Sequence, residues 1–207
     1  MIRSLLASAA LCAALALSTG SAGAASIVDE WSTVKAPTPP PLQAVHVDSA
    51  TTALLMLDFV KQICNGPRCL AAVPKVANLL KAARAGHMTV VYSYVFGATL
   101  ADTLPAVAPV TGEASVQSGP DKFIGTDLEK MLAQKGIKTV VVVGTAAHGA
   151  VMYTASHAAL LGLDVVVPVD GMASEVPYAE QYVVWNFANA PRVSTKVKLT
   201  ALDQLSF

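Results

Sequence analysis

Along the chain, apolar runs of strand length alternate with segments in which apolar positions return every three or four residues. Residues 51–59, TTALLMLDF, and 88–95, MTVVYSYV, are continuous apolar or β-branched runs, the pattern of strands covered on both faces. Between them, residues 74–85 set Val76, Leu79, Leu80 and Ala83 on one side of a helix that Gly86 stops. Residues 96–119 are rich in Pro, Gly, Ala and Thr, which predicts an irregular excursion with a short strand at 114–117. A helix follows over 126–135, with Thr126 as cap, Glu129 at capping-box spacing and Gly136 as its end. The clearest pattern lies in residues 138–174. Four consecutive valines before Gly144 make a central strand over 139–143, a tight turn leads to an amphipathic helix over 150–161, and a second buried strand spans 164–169. A helix over 178–189 and a strand over 193–200 come next, and the alternating polarity of that strand marks a sheet edge.

Strand and helix alternate throughout, so the fold class is α/β, a three-layer α/β/α sandwich with a mostly parallel sheet. The strand–helix–strand unit at 139–169 demands a crossover, right-handed by rule. In an open parallel sheet ligands bind outside the carboxyl ends of the strands. That places chemistry at the turn from Thr145 to Ala150.

Residues 1–24 stand apart. Arg3 is a positive start, residues 5–17 are apolar, and Ala22-Gly23-Ala24 is a small-residue cleavage site, so the segment reads as a secretory signal peptide cut after Ala24. The expected location is secreted or periplasmic. The apolar stretch is too short to span a membrane, no later run approaches the roughly 20 apolar residues a span needs, and no membrane association is expected once the signal is removed. Cys12 lies inside the apolar stretch rather than after it, which argues against a lipid-bearing cysteine. Residues 25–45 contain APTPPP and read as an extended arm, in which Trp31 either docks on the domain or a neighbouring subunit or faces solvent on a tether. Residues 46–207 form the folded domain. Cys64 and Cys69, an even pair bracketing a short Gly-Pro loop in an exported chain, are expected to form a disulfide. Equal numbers of basic and acidic residues, 14 each, leave no basic stripe and argue against nucleic acid.

Few side chains carry candidate chemistry. Asp58 ends the first core strand, where a turn or cap role is the ordinary fate of an aspartate. His148 lies in the turn before the helix; it either donates to a substrate carboxylate or packs against backbone, and the second role is the commoner. His157 falls on an exposed helical face, His87 in a loop and His46 before the first strand. No two share an element at ligand spacing, so neither a metal nor a cofactor is expected. Tyr178, Tyr182 and Trp185 recur at helical spacing, as core packing or a subunit interface would require.

LLMLDF, KAARAGHMTVVYS and the block from Phe123 to Ser174 resemble the isochorismatase-like hydrolases, which include nicotinamidases and related amidases. The resemblance covers nearly all of the chain after the Pro-rich arm. It implies a six-stranded parallel, Rossmann-like sheet and assembly into homo-dimers or homo-tetramers. In the family's cysteine members a thiolate attacks an amide carbonyl, an aspartate takes the thiol proton, a lysine assists and two backbone N–H groups hold the oxyanion. Carried over, the aspartate falls on Asp58, the oxyanion donors on Ala146 and Ala150, and a cis peptide on Thr145-Ala146. The nucleophile also falls on Ala150, which has no nucleophilic atom, so covalent cysteine catalysis is excluded.

The family's lysine is expected near Gln117 or Ser118, and neither is basic. Lys122 is the nearest cation; its place directly before Phe123 leaves its direction open, and because most lysines are solvated surface groups it is not expected to fill the role. Isochorismatase proper also carries a small residue in place of the cysteine, next to an Ala-His pair like Ala147-His148. That branch protonates a vinyl ether and completes hydrolysis with water. Two functions follow: a hydrolase acting on a small molecule with Asp58 as general acid or base, or an inactive relative that binds a small carbonyl or carboxylate ligand. The apparent double loss, at Ala150 and near Ser118, motivates the second. It also argues against a laboratory replacement of cysteine at 150, which would leave the lysine in place.

Overall fold

The computed structural model describes residues 24–207. Of the signal-peptide reading, residues 1–23 lie outside the described residues. The chain divides into two units, one ending at Ala36 and one running from Pro37 to Phe207. Within the described part of the first, a single helical turn, α1 (Ile27–Glu30), interrupts the extended arm. Asp29 closes its start, its Oδ2 accepting from both the hydroxyl and the N–H of Ser26.

The second unit is built on one parallel sheet. Its elements are β1 (Val45–His46), β2 (Thr52–Leu57), α2 (Pro67–Ala85), β3 (Thr89–Tyr94), β4 (Ala114–Gln117), α3 (Leu128–Gln134), β5 (Thr139–Thr145), α4 (Met152–Leu160), β6 (Asp164–Pro168), β7 (Met172–Ala173), α5 (Pro177–Asn189), β8 (Val197–Thr200) and β9 (Leu205–Ser206). The sheet order is β4-β3-β2-β5-β6-β8, with β7 continuing alongside β5, and every pairing is parallel. β1 and β9 form a small separate parallel pair.

The two-residue period of β2 and β5 explains the layers. Ala53, Leu55, Leu57, Val140 and Val142 share a buried cluster with Leu128 and Leu132 of α3, Ala155 and Ala158 of α4, and Val183 and Phe187 of α5. The intervening Leu54, Met56, Val141 and Val143 face the other way, onto Val73, Val76, Leu80 and Ala83 of α2. Strands buried on both faces cannot alternate in polarity, and these do not. At their carboxyl ends β2 and β5 press together: Leu57 pairs with Gly144, and a Cβ at Gly144 would overlap the carbonyl oxygen of Leu57. Gly144 also has φ +150°, a conformation that side chains disfavour.

Three boundaries depart from the sequence reading. α2 starts at Pro67 rather than residue 74, because Pro67 suits the first helical position and Gly66 the cap, and Pro74 is tolerated inside. Gly66 has no side chain to cap with, and the Glu175 carboxylate takes that place, accepting from the N–H groups of Arg68 and Cys69. α3 starts at Leu128, with Thr126 Oγ1 accepting from its N–H at 3.2 Å. The last long strand begins at Val197, after a turn, and it is a sheet edge as expected. Cys64 and Cys69 are buried and disulfide-bonded. Tyr178, Tyr182 and Trp185 are exposed, so core packing does not account for them; Val183 and Phe187 supply the buried face of α5. Among the described residues no helix is long and apolar enough to cross a membrane.

Candidate functional site

The carboxyl ends of β2, β3 and β5 meet at Asp58. This residue follows β2 directly, in the left-handed region with φ +54°, and its N–H donates to the carbonyl of Ser93 at 3.3 Å. Both carboxylate oxygens are held. Ser93 Oγ, from β3, donates to Oδ1 at 2.8 Å, and Lys122 Nζ lies 2.7 Å from Oδ2. The side chains of Lys122 and Asp58 are 0% and 3% exposed, so the pair is sealed from solvent.

This corrects the expectation for Lys122. It is not a solvated surface lysine: it enters the site from the loop between β4 and α3, and Nζ also donates to the carbonyl of Gly119 at 2.9 Å. Gln117 and Ser118, where the family lysine was sought, hold the loop instead. Gln117 Nε2 donates to the carbonyls of Val95 and Ala98, and Ser118 Oγ to that of Asp121. A cation therefore does stand beside Asp58, and position 150 is alanine.

Burial pushes the Asp58 carboxyl above the ordinary carboxylate range, and the charge and hydrogen bond of Lys122, with that of Ser93, draw it only part of the way back. An isolated buried charge would be costly, which is why both oxygens are occupied.

Beside Asp58, β5 ends at Thr145, and the Thr145-Ala146 peptide is cis, where the resemblance placed it. A wide π-type turn, Ala147–Val151, leads into α4, so the helical path opens three residues before the expected start at Ala150. The carbonyl of Ala146 accepts from the N–H groups of Gly149 and Val151, passing over that of Ala150 between them. Ala150 is buried, and its methyl lies in the same apolar cluster as Leu57, Phe123 and Val151. No side chain at this position can attack a carbonyl.

His148 is exposed, and its Nδ1 is 3.3 Å from the hydroxyl of Ser174, which is buried just past β7. His157 is not simply on an exposed face. Its Nδ1 sits 2.7 Å from Asp121 Oδ2, and its ring lies 4.8 Å from that of Phe123. Sequence reading missed Ser93, Asp121, Thr154 and Ser174; Ser93 is marked only by its bond to Asp58, Thr154 by its bond to the Lys122 N–H, Asp121 by its contact with His157 and Ser174 by its contact with His148. Among the described residues no group of three or more His, Cys, Asp or Glu side chains could hold a metal ion.

The isochorismatase domain model matches residues 52–197. A secreted isochorismatase effector of Verticillium dahliae is 29% identical over 148 residues, 64% of this chain and 76% of that protein. An isochorismatase-like hydrolase from Alkaliphilus metalliredigens superposes with a TM-score of 0.66 at 23% identity, over 75% of this chain and 96% of that one. A cysteine hydrolase from Pseudomonas syringae pv. phaseolicola superposes with a TM-score of 0.68 at 18% identity, over 80% and 95%.

Proposed function

The chain belongs to the isochorismatase family, and from that premise we propose that it is an exported hydrolase of a small molecule that works without a cysteine nucleophile. Asp58 acts as the general acid or base and water completes the reaction. The observation that carries this reading is the Asp58–Lys122 pair, fully buried beside a strand-to-helix turn in which Ala150 takes the nucleophile's place. A buried ion pair is a poor source of stability compared with apolar packing. Its presence next to an oxyanion-type turn argues for a chemical task.

A carboxyl raised by burial carries its proton closer to neutral pH than an exposed one, and a proton to give is what vinyl-ether cleavage needs. Lys122 stabilises the carboxylate left after that proton departs, and Ser93 keeps the carboxyl plane fixed. Protonation places positive charge on the vinyl ether, and water then attacks the carbon bearing it; the N–H groups of Ala146 and Ala150 serve instead to hold a carbonyl or carboxylate of the bound molecule. His148, exposed and beside Ser174, is the group assigned to donate to a substrate carboxylate. Export rests on the leader-like residues 1–24, the Cys64–Cys69 disulfide and the secreted nature of the Verticillium relative. Assembly into dimers or tetramers is the family expectation.

A second reading, a ligand-binding relative without turnover, is favoured by one observation: alanine at position 150. Turnover of isochorismate-like vinyl ethers and of simple amides by purified protein, Asp58→Asn and Lys122→Met separates the two. The hydrolase reading expects vinyl-ether turnover that falls by at least about a hundredfold in Asp58→Asn, the usual worth of a general acid. Turnover indifferent to that substitution removes Asp58 from the mechanism. No turnover, with a saturable rise in melting temperature on adding the same compounds, supports the binding reading.

A further inference from the structure

Lys122 reaches Asp58 from an irregular loop, where no periodicity dictates the direction of a side chain, and the same segment is tied to α4 on its other side. We propose that Asp121 and His157 form a latch that positions Lys122: by holding residue 121 outward against α4, they fix residue 122 inward against Asp58. The inference rests on the reading of Asp58 and Lys122 given above.

Adjacent residues of the segment point in opposite senses. Asp121 Oδ2 meets His157 Nδ1 at 2.7 Å, and its other oxygen, Oδ1, accepts from the N–H of Phe123 at 3.0 Å. Lys122, one residue on, is fully buried against Asp58. One turn of α4 before His157, the hydroxyl of Thr154 accepts from the N–H of Lys122 at 3.2 Å and donates to the carbonyl of Pro120 at 3.4 Å. The ring of His157 also packs against Phe123. Thus two residues of α4, three positions apart and so on one helical face, grip the segment on both sides of the lysine. Thr126 Oγ1 closes it from below by donating to the carbonyl of Lys122 at 2.6 Å.

The latch gives the site a coupling. α4 grows out of the turn that carries Ala146 and Ala150, so the helix that follows the oxyanion turn also sets the position of the lysine. Asp121 and His157 are positioning residues: neither touches Asp58, and they act through Lys122.

The test is the accessibility of the Lys122 amine, a readout that needs no substrate. The folded protein, His157→Ala, His157→Asn and Asp121→Asn are treated briefly with an amine-acetylating reagent, and the rate at each lysine is read by peptide mass spectrometry, with exposed Lys61 as internal standard. Lys122 of the parent is expected to react far more slowly than Lys61. His157→Ala should raise the Lys122 rate by at least roughly tenfold, the change in local opening that loss of one such hydrogen bond implies. His157→Asn, whose amide nitrogen falls near the place of Nδ1, should restore most of the protection. Hydrogen exchange of the same proteins reports whether the effect is local: the Phe123 amide should speed up and the β5 amides should not. Equal Lys122 rates in parent and His157→Ala overturn the latch, as does an equal acceleration in β5. Failure of vinyl-ether turnover with the labelling pattern intact refutes the hydrolase reading and leaves the latch standing.

Discussion

Replacing Lys122 with methionine removes the charge from the sealed pair while keeping an unbranched side chain of similar length. Lys122 Nζ is 2.7 Å from Asp58 Oδ2, and both side chains are almost wholly excluded from water. Removing one member of such a pair strands the other, at a cost of about 3–5 kcal/mol, whereas an exposed lysine would cost within about 0.5 kcal/mol. At a urea dependence of about 2 kcal/mol per M, the unfolding midpoint should drop by roughly 1.5–2.5 M. The cost should also depend on pH in a fixed direction. Burial holds the Asp58 carboxyl above its ordinary value even with Lys122 present, and without the cation it rises further. A raised carboxyl keeps in the folded state a proton that the unfolded state has released. Its contribution is therefore fully present below the unfolded carboxylate value near about pH 4 and is lost as pH rises through the folded value. Parent and variant lose it in parallel until the parent's folded carboxyl ionises, and above that value the gap between them should widen by at most about 1.4 kcal/mol per pH unit. Urea titrations at acid, neutral and mildly alkaline pH measure it. The double variant Asp58→Asn/Lys122→Met should lose less stability at neutral pH than Lys122→Met alone, because no charge is left behind. A small cost that does not vary with pH would refute the reasoning, since it would mean that Lys122 is solvated.

Two further outcomes test the frame around the site. Gly144→Ala puts a Cβ into the carbonyl of Leu57 at φ +150°, and the domain should lose at least about 3 kcal/mol or fail to accumulate as soluble protein; an unchanged melting temperature would show that β2 and β5 are less tightly apposed. Replacing both Cys64 and Cys69 with alanine should cost about 2 kcal/mol, the chain-entropy expectation for so short a loop, and the melting temperature of this variant should be insensitive to reductant.

The sheet was legible because its signal is chemical and repetitive. Four valines before Gly144 and the short run ALLML fit strands covered on both faces, and the structure pairs them in the middle of the sheet. The turn at 145–150 was singled out for a topological reason, lying at a carboxyl end where a parallel sheet opens, whereas Asp58 read by itself as a turn or cap residue and was singled out by the resemblance. Lys122 was not. A side chain in an irregular loop turns inward or outward according to what its neighbours bind, and Asp121 finds its partner on a helix 36 positions away. His157 was misread for the matching reason: its helical face looks polar until the loop is laid over it. The apolar periodicity of 74–85 does not reveal the first turns of α2, because Pro67 opens the helix and Pro74 is tolerated within it.

The Glu175 carboxylate at the start of α2 links two distant parts of the chain. Local sequence offers that helix no side-chain cap, and the groups that answer its first free amides arrive from 106 and 107 positions downstream. A peptide spanning α2 alone should fray at its first turn. The amides of Arg68 and Cys69 thereby become a timer for refolding, since they gain protection only when the second half of the domain has settled onto the first.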